Sequence, residues 1–135
     1  MTILMTGFEP FGGEPINPSW EAVRRLNGDT GGVRIERLLV PTTYADSIGT
    51  VTEAIGRLRP AAVSNTAGLF ICNHLFYGVL HHIATHNLET QAGFIHVPFL
   101  PEQVVQKPGT PSVSLETPVA GLDCTVAVLT SNARL

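Results

Sequence analysis

A cysteine at a strand-to-helix junction and a histidine near the end of a second strand are the residues best placed to do chemistry. Ala61-Ala62-Val63-Ser64 is a β-like run that leads into a Gly-containing turn within Ser64-Asn65-Thr66-Ala67-Gly68-Leu69-Phe70-Ile71-Cys72-Asn73-His74, and a helical pattern begins at about Cys72. A thiol in the first turn of a helix lies beside unpaired N–H groups and the positive end of the macrodipole, which favour the thiolate. The apolar stretch Gly93-Phe94-Ile95-His96-Val97-Pro98 carries the histidine. A thiol that attacks and an imidazole that moves its proton are the parts of a thiol hydrolase. Helix-start geometry and pairing with His96 then predict a pKa for Cys72 below that of Cys124. The same residues admit a plainer reading, a small buried hydrophobe and a hydrogen-bonded core histidine.

Other patterns carry less. Gly7-x₄-Gly12 after a strand has the outline of a phosphate loop, but Gly13-Glu14 stands where Lys-Ser/Thr is required, and a carboxylate there repels phosphate. His82 and His86 are four apart on a helix, with His81 and His74 near, yet no acidic or cysteine partner follows at a supporting interval. They read as a solvated helix end, and no metal or cofactor is expected. Cys124 reads as a core residue of the last helix, and Trp20 as packed against the sheet.

The elements that must position these residues alternate. Residues 2–6 read as a strand ending at Gly7. Asn17-Pro18 starts a helix, with Asn as N-cap and Pro at the first helical position, which runs through Trp20, Val23 and Leu26 to Asn27-Gly28. Val33 to Val40 is a second strand. Ile48, Val51, Ile55 and Leu58 recur at helical spacing over 44–58. A strand at 61–64, a helix at about 72–86, a strand at 93–97 and a last helix from Thr117-Pro118 through Leu129 complete the pattern, with Gln106 to Pro111 as a loop. This order predicts one α/β domain over 1–135, a mainly parallel or mixed twisted sheet with helices on both faces.

Four words in order add to this: Thr6-Gly7-Phe8-Glu9-Pro10-Phe11-Gly12-Gly13; Asn17-Pro18-Ser19-Trp20-Glu21-Ala22-Val23; Ser64-Asn65-Thr66-Ala67-Gly68 with Cys72-Asn73-His74-Leu75; and Gly93-Phe94-Ile95-His96-Val97-Pro98 with Pro101-Glu102-Gln103. In these the chain resembles the pyroglutamyl peptidase I (pyrrolidone-carboxylate peptidase) family of cysteine peptidases. The resemblance implies that Cys72 is the nucleophile, His96 its proton partner, and Phe8 and Phe11 the rings that enclose a lactam, with Phe70 and Ile71 lining the same pocket. The implied substrates are peptides with N-terminal pyroglutamate, and the implied assembly is a homo-oligomer. One departure matters. Between the helix ending near Arg59 and the strand leading to the cysteine, the family has a long segment with a Gly-Gln-Ala-Gly-Gly-type stretch, the acidic triad member and an arginine. Here Leu58-Arg59-Pro60 runs straight into Ala61. Glu9, Glu14 and Glu102 are the nearby carboxylates, and Glu102 is read as ordering the Pro-Glu-Gln loop. A second reading is therefore a catalytically impaired, shortened paralogue that serves as a binding or oligomerisation subunit. A third, an unrelated α/β small-molecule binding domain, needs the four words to be coincidence.

Composition sets the outer bounds. The 135 residues are 44% hydrophobic and only 14% charged, enough apolar material for a core and few charges for a fully solvated surface. A net charge of −3 argues against a nucleic-acid surface or a polybasic membrane patch. No apolar run approaches the ~20 residues of a membrane span, and the N-terminus reads as a first strand and not a signal peptide. Two cysteines in these settings suggest no disulfide framework, so a reducing cytoplasm is the expected compartment.

Overall fold

A computed structural model describes residues 1–30, 32–58 and 71–132 of the chain. Strand β1 (Thr2–Phe8) pairs in parallel with β3 (Val33–Val40), in register from Thr2 opposite Arg34 to Phe8 opposite Val40. The two-residue strand β2 (Asp29–Thr30) pairs antiparallel with β3, giving the order β1-β3-β2. The sheet is therefore mixed. Period-2 alternation sends successive side chains of β1 to opposite faces, and both faces are covered. Ile3, Val33 and Ile35 pack with Ala22 and Val23 of helix α1 (Pro18–Val23) and with Leu122 and Val126 of α4 (Glu116–Asn132). Leu4, Phe8 and Val40 pack with Val51, Ala54 and Ile55 of α2 (Tyr44–Leu58) and with Leu75 and Val79 of α3 (Ile71–Thr85). Among the described residues the helices thus lie two on each face, as an α/β layer arrangement requires.

Two close approaches set the spacing of these layers. A Cβ on Gly7 would stand 2.6 Å from the Trp20 Cα, so the start of α1 rides directly on the end of β1. A Cβ on Gly78 would stand 2.4 Å from the Ile48 Cδ1, so α3 crosses α2 over a glycine. Trp20 packs against the α1/α4 face of the core, as expected.

Several boundaries differ from the sequence reading. The first strand runs on to Phe8. Helix α1 stops at Val23, because the chain tightens into i→i+3 turns (Arg25 N to Ala22 O, Leu26 N to Val23 O, 3.2 Å each) and the Arg37 guanidinium takes the carbonyls of Arg24 and Leu26 at 3.1 Å. Leu26 still reaches the core. Helix α4 begins at Glu116, ahead of Thr117-Pro118, a first-turn position where proline costs no hydrogen bond. Cys124 is exposed and not in the core, since Leu122, Val126 and Leu129 occupy the inner stripe of α4 and a residue two positions after Leu122 points outward. Among the described residues the expected strand at 93–97 forms no ladder, and a cavity of about 160 Å³ is lined by Leu4, Met5 and Thr6 of β1 together with Gly93, Phe94 and Ile95. Its continuation makes a single parallel bridge, Phe99 to Ser112. The expected strand at 61–64 and the pocket residue Phe70 lie outside the described residues.

Candidate active site

Cys72 is the second residue of α3 and half-buried, with its side chain against the cluster of Leu4, Phe8 and Leu75. It lines a cavity of about 430 Å³, of a size that suits a small molecule. His96 lines the same cavity, as do Phe8 and Phe11. Three stretches distant in sequence thus meet there: the loop after β1, the start of α3 and the extended segment after Ala92. Ile71 is half-buried and is not among the residues lining the cavity.

The loop after β1 is built by a polar network. Asn17 caps α1, its Oδ1 accepting from Ser19 N at 3.0 Å and from Ser19 Oγ at 2.8 Å, while its Nδ2 donates to Glu9 O at 3.0 Å. Ser19 Oγ in turn accepts from Phe8 N at 3.0 Å. The helix cap therefore also fixes the backbone of Phe8, which is buried. Phe11 stands at the mouth, 58% exposed. The Glu9 carboxylate is used within the fold, accepting from Thr42 N at 3.0 Å and Thr42 Oγ1 at 3.3 Å.

His96 is exposed and has no hydrogen-bond partner among the described residues. Its ring packs on Phe94 with centroids 5.1 Å apart at 56°, and Phe94 packs on Phe8 at 6.2 Å. No hydrogen bond joins Cys72 to His96. The Cys72 thiol is accordingly pushed above the ordinary thiol range, because burial outweighs the opposing backbone hydrogen bond at the helix start. The expectation of a lowered pKa fails for the free chain, since it required an imidazolium at the sulfur and burial dominates without one.

Of the carboxylates weighed from the sequence, Glu14 alone lines this cavity among the described residues. Both of its oxygens are engaged: Oε1 by Lys107 Nζ and Oε2 by Gln103 Nε2 at 3.3 Å. These contacts, the Lys107 bond first, hold its carboxyl below the ordinary range. Glu102 is exposed on the short helical turn Pro101–Gln103. Gln103, passed over in the sequence reading, is the residue that orders this loop. Its Oε1 accepts from Leu100 N at 3.1 Å, and its Nε2 donates to Ile16 O at 3.3 Å as well as to Glu14. The nearest sequence signal was the apolar and proline-rich setting, which leaves a glutamine few partners other than backbone.

The histidines on α3 and just after it contact neighbouring groups of the fold. His74 Nε2 lies 3.1 Å from Tyr44 O with its ring edge-on to Tyr44. His82 and His86 have centroids 4.2 Å apart, and His86 Nδ1 is 2.9 Å from His82 O at the end of the helix. Among the described residues no three His, Cys, Asp or Glu side chains gather as metal ligands would.

The sequence model of the pyroglutamyl peptidases matches residues 1–60 and 56–132, and a pyrrolidone-carboxylate peptidase of Cupriavidus taiwanensis is 34% identical, with 96% of this chain and 93% of that protein covered. The chain belongs to the pyroglutamyl peptidase family. The fold agrees. The pyroglutamyl peptidase I of Bacillus amyloliquefaciens superposes with a TM-score of 0.81 at 30% identity, over 90% of this chain and 91% of that one. A mutant pyrrolidone carboxyl peptidase of Pyrococcus furiosus superposes with a TM-score of 0.87 at 22% identity, over 98% and 100% of the two chains, a likeness of fold. The two matched stretches of the family model meet at residues 56–60. The alignment with the Cupriavidus protein runs over 201 positions against 135 residues here, so that relative has residues with no counterpart in this chain.

Proposed function

We propose that this chain is a cysteine omega-peptidase that removes N-terminal pyroglutamate from peptides, with Cys72 as nucleophile and His96 as its proton partner. The observation that carries the reading is that Cys72, His96, Phe8 and Phe11 line one cavity. With no hydrogen bond joining Cys72 to His96 in the free chain, and burial holding the thiol protonated, the reading takes His96 as a general base and not as a preformed ion-pair partner. The Cys72 proton passes to the imidazole as sulfur bonds to the pyroglutamyl carbonyl carbon. The imidazolium then gives that proton to the amide nitrogen as the C–N bond breaks, and the shortened peptide leaves as a free amine. Water attacks the thioester, His96 takes its proton, and the proton returns to sulfur as pyroglutamic acid departs. Phe8 and Phe11 suit an uncharged lactam, whereas a charged glutamyl side chain between such rings would lose its hydration without a partner.

The test is hydrolysis of a pyroglutamyl–coumarin amide by the whole chain. Cys72→Ala and His96→Ala should remove the activity, and Cys124→Ala should leave it unchanged. Turnover that persists in Cys72→Ala overturns the assignment.

A second reading, a catalytically impaired paralogue, is favoured by one observation: His96 has no hydrogen-bond partner among the described residues, and Glu9 and Glu14 are both engaged elsewhere. The meeting of the two matched stretches at 56–60 supports placing the family's extra segment, with its orienting acid, at about residues 59–61. That reading expects the peptide-binding cavity to outlast the chemistry, with the wild-type chain binding a lactam but turning over no substrate.

A further inference from the structure

The candidate cavity is bounded by two stretches far apart in sequence, residues 8–18 and residues 94–103. At one end the Phe8 and Phe94 rings join them within the core. Further out, three side chains join them. Gln103, 8% exposed, turns its carboxamide to both stretches at once, accepting from Leu100 N on its own side and donating to Ile16 O and Glu14 Oε2 on the other. Lys107 pairs with the second oxygen of Glu14 and lies 4.7 Å from the centroid of the Phe99 ring, another wall of the cavity. A carboxylate with one donor on each oxygen is held in orientation as well as in place.

Glu14 also closes a tight turn. Its N–H donates to Phe11 O at 3.2 Å, across Gly12 and Gly13 with φ of 66° and 81°. Left-handed conformations at both central positions are what a primed turn needs, and glycine adopts them without strain. Phe11 is therefore the first residue of a short rigid turn whose fourth residue is anchored to Gln103 and Lys107. The ring itself is mostly exposed, so the turn that carries it has the larger part in fixing it.

From this geometry we infer that Glu14, Gln103 and Lys107 form a clasp that sets the gap between Phe11 and His96, which makes Gln103 a positioning residue for capture of the pyroglutamyl ring. The inference rests on the cavity being the lactam site, as proposed above. Gln103 borders the cavity too, but its carboxamide is taken up by Leu100, Ile16 and Glu14. It acts through Glu14 on the turn that carries Phe11. Loss of the clasp should weaken binding and leave the chemical step alone, because Cys72 and His96 belong to α3 and to the stretch before the clasp.

The experiment uses the full chain with Gln103→Leu, and with Lys107→Met as a surface change that opens the clasp from its other end should Gln103→Leu not fold. Amide hydrogen exchange reads the clasp without any need for catalysis. Residues 11–17 and 99–107 should exchange about tenfold faster in either variant while α2 does not change. Binding of the lactam 2-pyrrolidone, followed by NMR, reads the positioning role, and its Kd should rise by about fivefold or more. If the wild type is active, KM for the coumarin substrate should rise with kcat within about twofold. Unchanged exchange in both stretches overturns the clasp. Faster exchange with an unchanged Kd for 2-pyrrolidone overturns the positioning role alone. A wild type that binds no 2-pyrrolidone overturns the lactam reading, and the positioning role with it, whatever the exchange shows.

Discussion

At the residue scale, Cys72 shows how two local influences are weighed. A helix start favours the thiolate by a fraction of the macrodipole, while packing against Leu4, Phe8 and Leu75 removes water from the sulfur. Burial wins in the free chain. The sign follows directly: a thiol whose pKa is raised stays protonated at neutral pH and yields thiolate only as pH climbs past the ordinary thiol value of about 8.5. Alkylation of Cys72 by iodoacetamide, resolved from Cys124 by peptide mapping, should therefore rise only above that pH, and His96→Ala should not move the profile. A half-maximal rate near or below pH 7 would mean that His96 does reach the sulfur in solution. That Cys72 stands in the first turn of a helix was legible in the sequence, because the helical signal around it is local. The burial of its sulfur was not, because that depends on which distant side chains close over it.

At the element scale, legibility tracked how local the determining forces are. Helix α2 runs over Tyr44–Leu58 as its spacing requires, and the Asn17-Pro18 start of α1 is capped as read, because both signals lie within a few residues. The end of α1 depends on Arg37 from a neighbouring strand. The apolar run at 93–97 reads as a strand, yet it pairs with no strand among the described residues, and periodicity does not record which strand would supply its hydrogen bonds. The clasp glutamine was missed for the same reason, since its partners Glu14 and Ile16 are 89 and 87 residues away. Helix α2 also carries a defect that invites a test. Ser47 is fully buried and its Oγ has no hydrogen-bond partner. Ser47→Ala removes an unsatisfied hydroxyl and raises helix propensity, so urea denaturation should show a gain of about 1–2 kcal/mol. A loss of stability would show that the hydroxyl is satisfied by solvent within the fold.

At the scale of the whole molecule, the chain keeps the outer parts of the family fold and lacks residues that a relative has inside it. The alignment of 201 positions is longer than the 135 residues available. The described residues form a three-stranded sheet with two helices on each face, and Val105 and Val128 stand 73% and 59% exposed in a chain only 14% charged. The consequence for activity follows from the histidine. No described residue hydrogen-bonds the His96 ring, and, on the proposed function, proton transfer in the transition state needs that ring held toward the sulfur. Placing the inner segment of an active relative after Arg59 would, by the resemblance, supply both the orienting acid and further sheet. Hydrolysis of the coumarin substrate should then rise by at least a factor of about 10², the scale of positioned acid–base help, with kcat carrying most of the gain because Phe8 and Phe11 already line the cavity. A 135-residue chain that is monomeric by sedimentation and as active as its relatives would sink this prediction, and would direct attention to Glu14 as the carboxylate that leaves its clasp to hold His96.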